Sequence, residues 1–258
     1  MDLDLIAILT GVAFVAGFVD SIAGGGGLLA LPALLVAGLD PVSALATNKL
    51  QGSFGTGSAV IAYARQRHID FRRSLPMVAT TLAGAVLGVL AVKFAPTALL
   101  SAILPVLLIV MAIYFALSRR LSNDDARPRM SERAFTFSVA PALGFYDGIF
   151  GPGVGSFFLL GFVTLLGFSV LRASAHTRLL NFTSNIASLA IFAASGKIIW
   201  ILGLAMGVGQ FLGAQIGARL AISQGARIIR PLLVLVSCAM AIKLLLDPAN
   251  PITRYLFE

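Results

Sequence analysis

Charge is what this sequence has least of. Asp, Glu, Lys and Arg make up 12% of its 258 residues, about half of the roughly 25% found in ordinary soluble domains. With 58% hydrophobic residues and a mean hydropathy of +0.95, that deficit places the chain in a bilayer and leaves no length for a separate soluble domain. Cysteine is nearly absent: Cys238 stands alone in an apolar run, which excludes an intrachain disulfide and a cysteine metal cluster. The two histidines, His68 and His176, are far apart and form no zinc pattern. The start, Met1-Asp2-Leu3-Asp4, has none of the basic residues of a signal peptide, so the first apolar run is expected to be retained. No metal or cofactor is expected.

A net charge of +8 raises nucleic acid as a partner, but the basic residues lie in short loops between apolar runs, where membrane proteins place Lys and Arg for topology. The expected partners are the lipid bilayer and a small anionic substrate, with no nucleic acid; monomer and homodimer are both left open.

What is present is organised around one stretch, Gly17-Phe-Val-Asp20-Ser-Ile-Ala-Gly24-Gly25-Gly26-Gly27, where a membrane helix should carry Leu and Val. It recurs as Gly144-Phe-Tyr-Asp147-Gly-Ile-Phe-Gly151-Pro-Gly153-Val-Gly155. Gly17, Asp20 and Gly24 have counterparts 127 residues on, at Gly144, Asp147 and Gly151. A second echo follows each copy: Ala46-Thr-Asn48-Lys49-Leu and Ala175-His-Thr-Arg178-Leu stand 129 residues apart, as do Gly84/Gly88 and Gly213/Gly217. Matched polar breaks in two apolar halves are the mark of a transporter built from internal repeats.

Ten apolar elements are expected, at 4–19, 27–39, 43–64, 74–94 and 97–117, then 134–149, 154–168, 172–194, 197–220 and 226–246. A full span needs about 20 residues. The last three of each half are long enough, and the first two, being short, are expected to form a hairpin of half-helices. Broken helices at membrane depth are tolerated where they line a cavity or are buried in protein. Arginines cluster at Arg65–Arg73, Arg119–Arg133 and Arg219–Arg230, which puts those loops in the cytoplasm. Three crossings and one hairpin per half then invert the halves relative to each other and leave both termini periplasmic. Trp200 fits an interfacial anchor. The expected fold is an all-α polytopic membrane protein of two inverted repeats, each a broken-helix hairpin plus three transmembrane helices: residues 1–117, a cytoplasmic linker at 118–133, and residues 134–258.

Asp20 and Asp147 are the acids of the breaks. A carboxylate in a membrane segment costs about 2.5–3.5 kcal/mol on insertion scales, so each either carries protons or gates, or accepts backbone N–H groups and holds the break. Gly24, Gly25, Gly26 and Gly27, with Gly151, Gly153 and Gly155, let backbone amides approach an anion at the start of a helix. Gly84/Gly88 and Gly213/Gly217 read instead as close helix packing. Lys49 and Arg178 stand one to two turns inside their elements; with Asn48, Asn181 and Asn185 they form an anion site, or they pair with Asp20 and Asp147. Arg178, Asn181 and Asn185 share one helix face. His176 reads as a polar helix residue rather than a ligand.

These motifs resemble those of the TauE/SafE family of sulfite and organosulfonate exporters, over nearly the whole chain. The resemblance implies export of a small sulfur oxyanion or sulfonate across the bacterial inner membrane. Arg178 stands in the second repeat where Lys is expected, a planar fork in place of a point charge. The reading is a secondary transporter working by alternating access, with Lys49, Arg178 and the glycine backbones holding the anion, the asparagines orienting it, and Asp20 and Asp147 carrying protons. The alternatives are an anion channel or a carrier of another small organic anion. An enzyme is least supported, since no nucleophile–base pair or metal cluster stands beside either glycine break.

Overall fold

Several helix starts and stops can be traced to their residues. In the computed structural model, which describes residues 2–92, 124–225, 227, 228 and 235, α1 (Leu3–Ala23) runs until Gly24 turns to φ +73°. The short α2 (Gly26–Val36) follows. α3 (Pro41–Arg65) starts where the Asp40 carboxylate accepts the Ser43 N–H at 3.1 Å, with Pro41 in the first turn where its missing N–H costs nothing. α4 spans Phe71–Val92. In the second half, α5 (Glu132–Phe137) is capped by Ser131 and gives way at Ser138 to α6 (Val139–Ile149). Then come α7 (Val154–Thr164), α8 (Val170–Ala194) and α9 (Trp200–Gln224), the last stopped by Gly225 at φ +53°.

Among the described residues all regular structure is helical, as the hydropathy implied, but lengths differ from expectation in two places. The first element is not a half-helix. It continues through Asp20-Ser21-Ile22-Ala23 to 21 residues, about 31 Å at 1.5 Å per residue, and the chain departs from helical angles first at Gly24, then at Gly25. The element expected at 134–149 is broken at Ser138: Pro141 has no N–H to offer the carbonyl four residues back, at Phe137. The short arms are α2, α6 and α7, each of 11 residues, about 16 Å long. The expected elements at 97–117 and 226–246, the boundary at 117/118 and Cys238 lie outside the described residues, apart from positions 227, 228 and 235.

α1, α4 and α9 are long and apolar enough to cross a membrane. α3 and α8 match α9 in length at 25 residues but carry a stripe of buried polar side chains. In α3, Ala44, Leu45 and Leu50 join one apolar cluster and Ala59, Val60 and Tyr63 another, with buried Lys49, Gln51, Ser53 and Thr56 lying between. The polar layer thus divides two apolar cores.

Glycine sets how the outer helices seat. α1 packs on α9, and α6 packs on α4. A Cβ at Gly213 or Gly217 would overlap the carbonyl oxygens of Phe14 and Phe18; one at Gly84 or Gly88 would overlap those of Pro141 and Phe145. Likewise Gly17 abuts the Gln210 carbonyl, and Gly144 that of Thr81. Backbones touch directly in both pairs, as small-xxx-small packing allows, and the contacts correspond position for position between the halves. The linker is also tied down. Ala126 N–H bonds Gly167 O at 2.7 Å, Arg129 N–H bonds Leu165 O at 2.8 Å, and the Asp125 carboxylate accepts the Ser169 N–H at 2.6 Å. Arg73 of α4 pairs with Glu132 at 2.5 Å, so the linker, α4 and the α7–α8 turn meet at one end of the protein.

Candidate substrate site

Two glycine breaks meet inside the protein. Between α1 and α2, Gly24 and Gly25 take φ of +73° and +132°; between α6 and α7, Gly151 and Gly153 take +84° and +81°. At these angles a side chain would be strained. The breaks also touch: Gly24 lies against the backbone of Gly155 and Ser156, and the Ser156 hydroxyl donates to Gly24 O at 2.5 Å.

Both acids pair with the cation of the other half. Lys49 on α3 puts Nζ 2.7 Å from Asp147 Oδ1 on α6, and Arg178 on α8 puts Nη1 3.1 Å from Asp20 Oδ2 on α1. All four side chains are buried. Asp20 also holds the break. Its Oδ1 accepts the N–H groups of Gly25 at 2.9 Å and Gly26 at 3.0 Å, capping α2 from the preceding helix. The two roles read for an acid at this break, holding it and pairing with a cation, are both met by one carboxylate. Arg178 Nε and Nη2 have no hydrogen-bond partner among the described residues.

Beside the pairs is a cavity of about 30 Å3, room for about two waters. It is lined by Asp20, Gly25, Gly27, Asn48, Lys49, Asp147, Gly151, Gly153, Gly155, Asn181 and Asn185 among the residues singled out from the sequence. Gly24 and Gly26 sit behind it, the first in the contact between breaks and the second under the Asp20 carboxylate. Arg178 does not line it, being turned to Asp20.

Two of the asparagines are oriented with donors inward. Asn48 Oδ1 accepts from Gln51 Nε2 at 2.7 Å, and Asn181 Oδ1 accepts from Asn185 Nδ2 at 3.3 Å, which leaves the Nδ2 groups of Asn48 and Asn181 to the site. The volumes left vacant by glycine lie next to donors. A Cβ position at Gly151 is 3.3 Å from Lys49 Nζ, and one at Gly155 is 3.3 Å from both Arg178 Nη1 and Asn181 Nδ2. α2 and α7 both begin here with glycine N-caps that supply no capping side chain, and their first turns carry partial positive charge.

The chain matches the family described as "Sulfite exporter TauE/SafE" over residues 9–244, from within α1 to beyond α9. It belongs to the TauE/SafE family. It is 53% identical to "Probable membrane transporter protein ORF9" of Sinorhizobium sp over 98% of this chain and 97% of that one. It is 47% identical to "Probable membrane transporter protein YfcA" of Escherichia coli K12, over 94% and 90% of the two chains. A Haemophilus influenzae "Probable membrane transporter protein" is 43% identical over 95% and 96%. No solved structure matches the chain. This TauE/SafE protein is therefore a membrane transporter, and not an enzyme.

Gly52 and Gln210 are among the lining residues of this TauE/SafE site that were not picked out from its sequence. Gly52 gives Asn185 room, its Cβ position falling 3.5 Å from Asn185 Nδ2. Gln210 lies on α9, buried, with its carboxamide across Gly55 of α3. A signal for it existed: it is an amide near the middle of an apolar, glycine-spaced span. His176 is outside the cavity. Its Nδ1 is 2.8 Å from Arg172 O and its ring packs on Phe162 and Phe168, a structural place.

Proposed function

We propose that this protein is a secondary transporter of the bacterial inner membrane that exports a small sulfur oxyanion or organosulfonate, with sulfite as the type substrate, by alternating access between two inverted repeats. The observation that carries this reading is the cavity between the glycine breaks, where the Lys49 ammonium and the Asn48 and Asn181 amides converge on space that glycine leaves vacant. Every oriented donor there suits an anion.

The inverted-repeat arrangement is supported by the reciprocal contacts: α1 on α9 mirrors α6 on α4, and Lys49–Asp147 mirrors Arg178–Asp20. The arginine-bearing turns Arg73, Arg127–Arg133 and Arg172 gather at one end, joined by the Arg73–Glu132 and Arg172–Asp125 pairs, which fits a cytoplasmic face with both termini opposite. At about 30 Å3 the site is smaller than an oxyanion of four or five heavy atoms, which requires it to expand. An anion entering from either side competes with Asp147 for Lys49. Protonation of Asp147 or Asp20 frees the cation for substrate, and substrate release restores the pair; this is the proposed route of proton coupling.

Purified protein in liposomes, offered sulfite, sulfate, thiosulfate, sulfoacetate and chloride with and without a pH gradient, tests the reading. Saturable flux of a sulfur oxyanion, altered by the gradient, supports it. Ion currents far beyond carrier turnover, insensitive to the gradient, would make it a channel instead.

A further inference from the structure

The two halves contribute unequally to the cavity. Positions 129 residues apart carry Gly52 and Asn181, Thr56 and Asn185, Thr81 and Gln210. The ion pairs are matched across the halves, but the first half supplies glycine and threonine where the second supplies three carboxamides. Thr81 is spent on its own helix contact, its hydroxyl donating to Ala140 O at 3.4 Å, and does not reach the cavity. Gln210 does, with its longer side chain laid across Gly55, where any side chain would collide with it.

Gln210 is 2% exposed. Neither atom of its carboxamide is hydrogen-bonded among the described residues, and Oε1 is fully buried. An unmade buried hydrogen bond carries the desolvation cost of the group, and of the two ends of this amide the Nε2 donor is the one that an arriving anion can meet. Asn48 and Asn181 are held by neighbouring amides; among the described residues Gln210 is held by packing across Gly55.

We infer that Gln210 is a substrate-binding, specificity-determining residue. Resting on the anion-transport reading above, its Nε2–H donates to an oxygen of the bound oxyanion while Lys49 meets the charge. A halide is satisfied by the cation and any nearby amide, because it has no fixed acceptor directions. A sulfur oxyanion presents several oxygens at once and gains from a directed donor. The amide wall of Asn181, Asn185 and Gln210 therefore selects oxyanions and fixes which half of the protein they face.

The test is sulfite and chloride flux in liposomes for wild type, Gln210→Met, Gln210→Glu and Lys49→Ala, with melting temperature in detergent, with and without sulfite, as the folding control. Gln210→Met keeps length and apolar bulk without the amide. Its sulfite KM should rise about tenfold or more, the loss of one bond to a charged group, with maximal rate within about threefold of wild type, chloride flux unchanged, and the sulfite-induced rise in melting temperature reduced. Gln210→Glu, the same shape with a negative charge, should abolish sulfite flux. Wild-type sulfite KM in Gln210→Met alongside loss of flux in Lys49→Ala would overturn the assignment and leave Gln210 as packing for Gly55. Absence of oxyanion flux in wild type itself would overturn the transport reading and this inference with it.

Discussion

Lys49 and Asp147 meet across the two halves, Nζ 2.7 Å from Oδ1, with both side chains buried. Losing one partner of such a pair strands a charge in an apolar surround and costs roughly 3–5 kcal/mol, whereas replacing both is often close to neutral. Lys49→Met alone should therefore lower stability by that order, and Lys49→Met/Asp147→Leu should recover most of it. Thermal unfolding of the detergent-solubilised proteins measures this. Additive losses in the double variant would mean that the two groups do not depend on each other.

Arg178 and Asp20 give a different expectation, because Asp20 also holds Gly25 and Gly26. Asp20→Asn keeps an oxygen for those amides and removes the charge. The fold should survive, and flux should lose its response to a pH gradient. Full retention of that response in Asp20→Asn would remove Asp20 from the coupling scheme.

The direct backbone contacts at glycine are the basis of a third prediction. Gly213→Ala and Gly84→Ala each press a methyl onto a carbonyl, of Phe14 and Pro141 respectively, and overpacking of this kind costs about 1–3 kcal/mol. Gly11 has nothing within 4 Å, so Gly11→Ala should be neutral or gain up to about 1 kcal/mol from the better helix former. Melting temperatures of the three variants separate the interface from a general effect of glycine loss; equal behaviour would refute the contact.

How much of this was readable beforehand varies with the physics involved. The acids, cations, glycines and asparagines stood out because polar groups are rare in apolar runs, and the structure brings nearly all of them to one cavity. Cross-pairing of the ions was only one of two options, since spacing along the chain does not say which half a side chain faces. The length of α1 was underestimated because four glycines were read as ending the helix early, whereas Asp20, Ser21, Ile22 and Ala23 satisfy it for another turn. The break at Ser138 needed Pro141 to be weighed against an otherwise apolar run. Gln210 was hidden in a helix whose glycines drew attention to packing alone.

The linker, from whose sequence no role could be read, has one measurable property. The Ser169 N–H donated at 2.6 Å, and then Arg172, hold the Asp125 carboxyl below the usual carboxylate range. A lowered folded pKa stabilises above the unfolded value, about 3.9, and that contribution fades as pH falls through the folded value. Asp125→Asn should melt below wild type at pH 6–7, and the gap should close as pH falls below about 4. A gap independent of pH would show that the carboxylate charge does not hold the linker.

The central claim is that the cavity beside Lys49 binds the transported anion. Its most direct test is the initial rate of sulfite flux in liposomes for wild type, Lys49→Ala and Arg178→Ala, with insertion and folding verified for each. The account predicts saturable wild-type flux, at least about a tenfold loss in Lys49→Ala, the effect of removing a charge-assisted contact, and a loss in Arg178→Ala that comes through the unpaired Asp20 carboxylate it leaves at the break. Well-folded variants that carry sulfite as fast as wild type would contradict it and leave both cations as structural partners of Asp147 and Asp20.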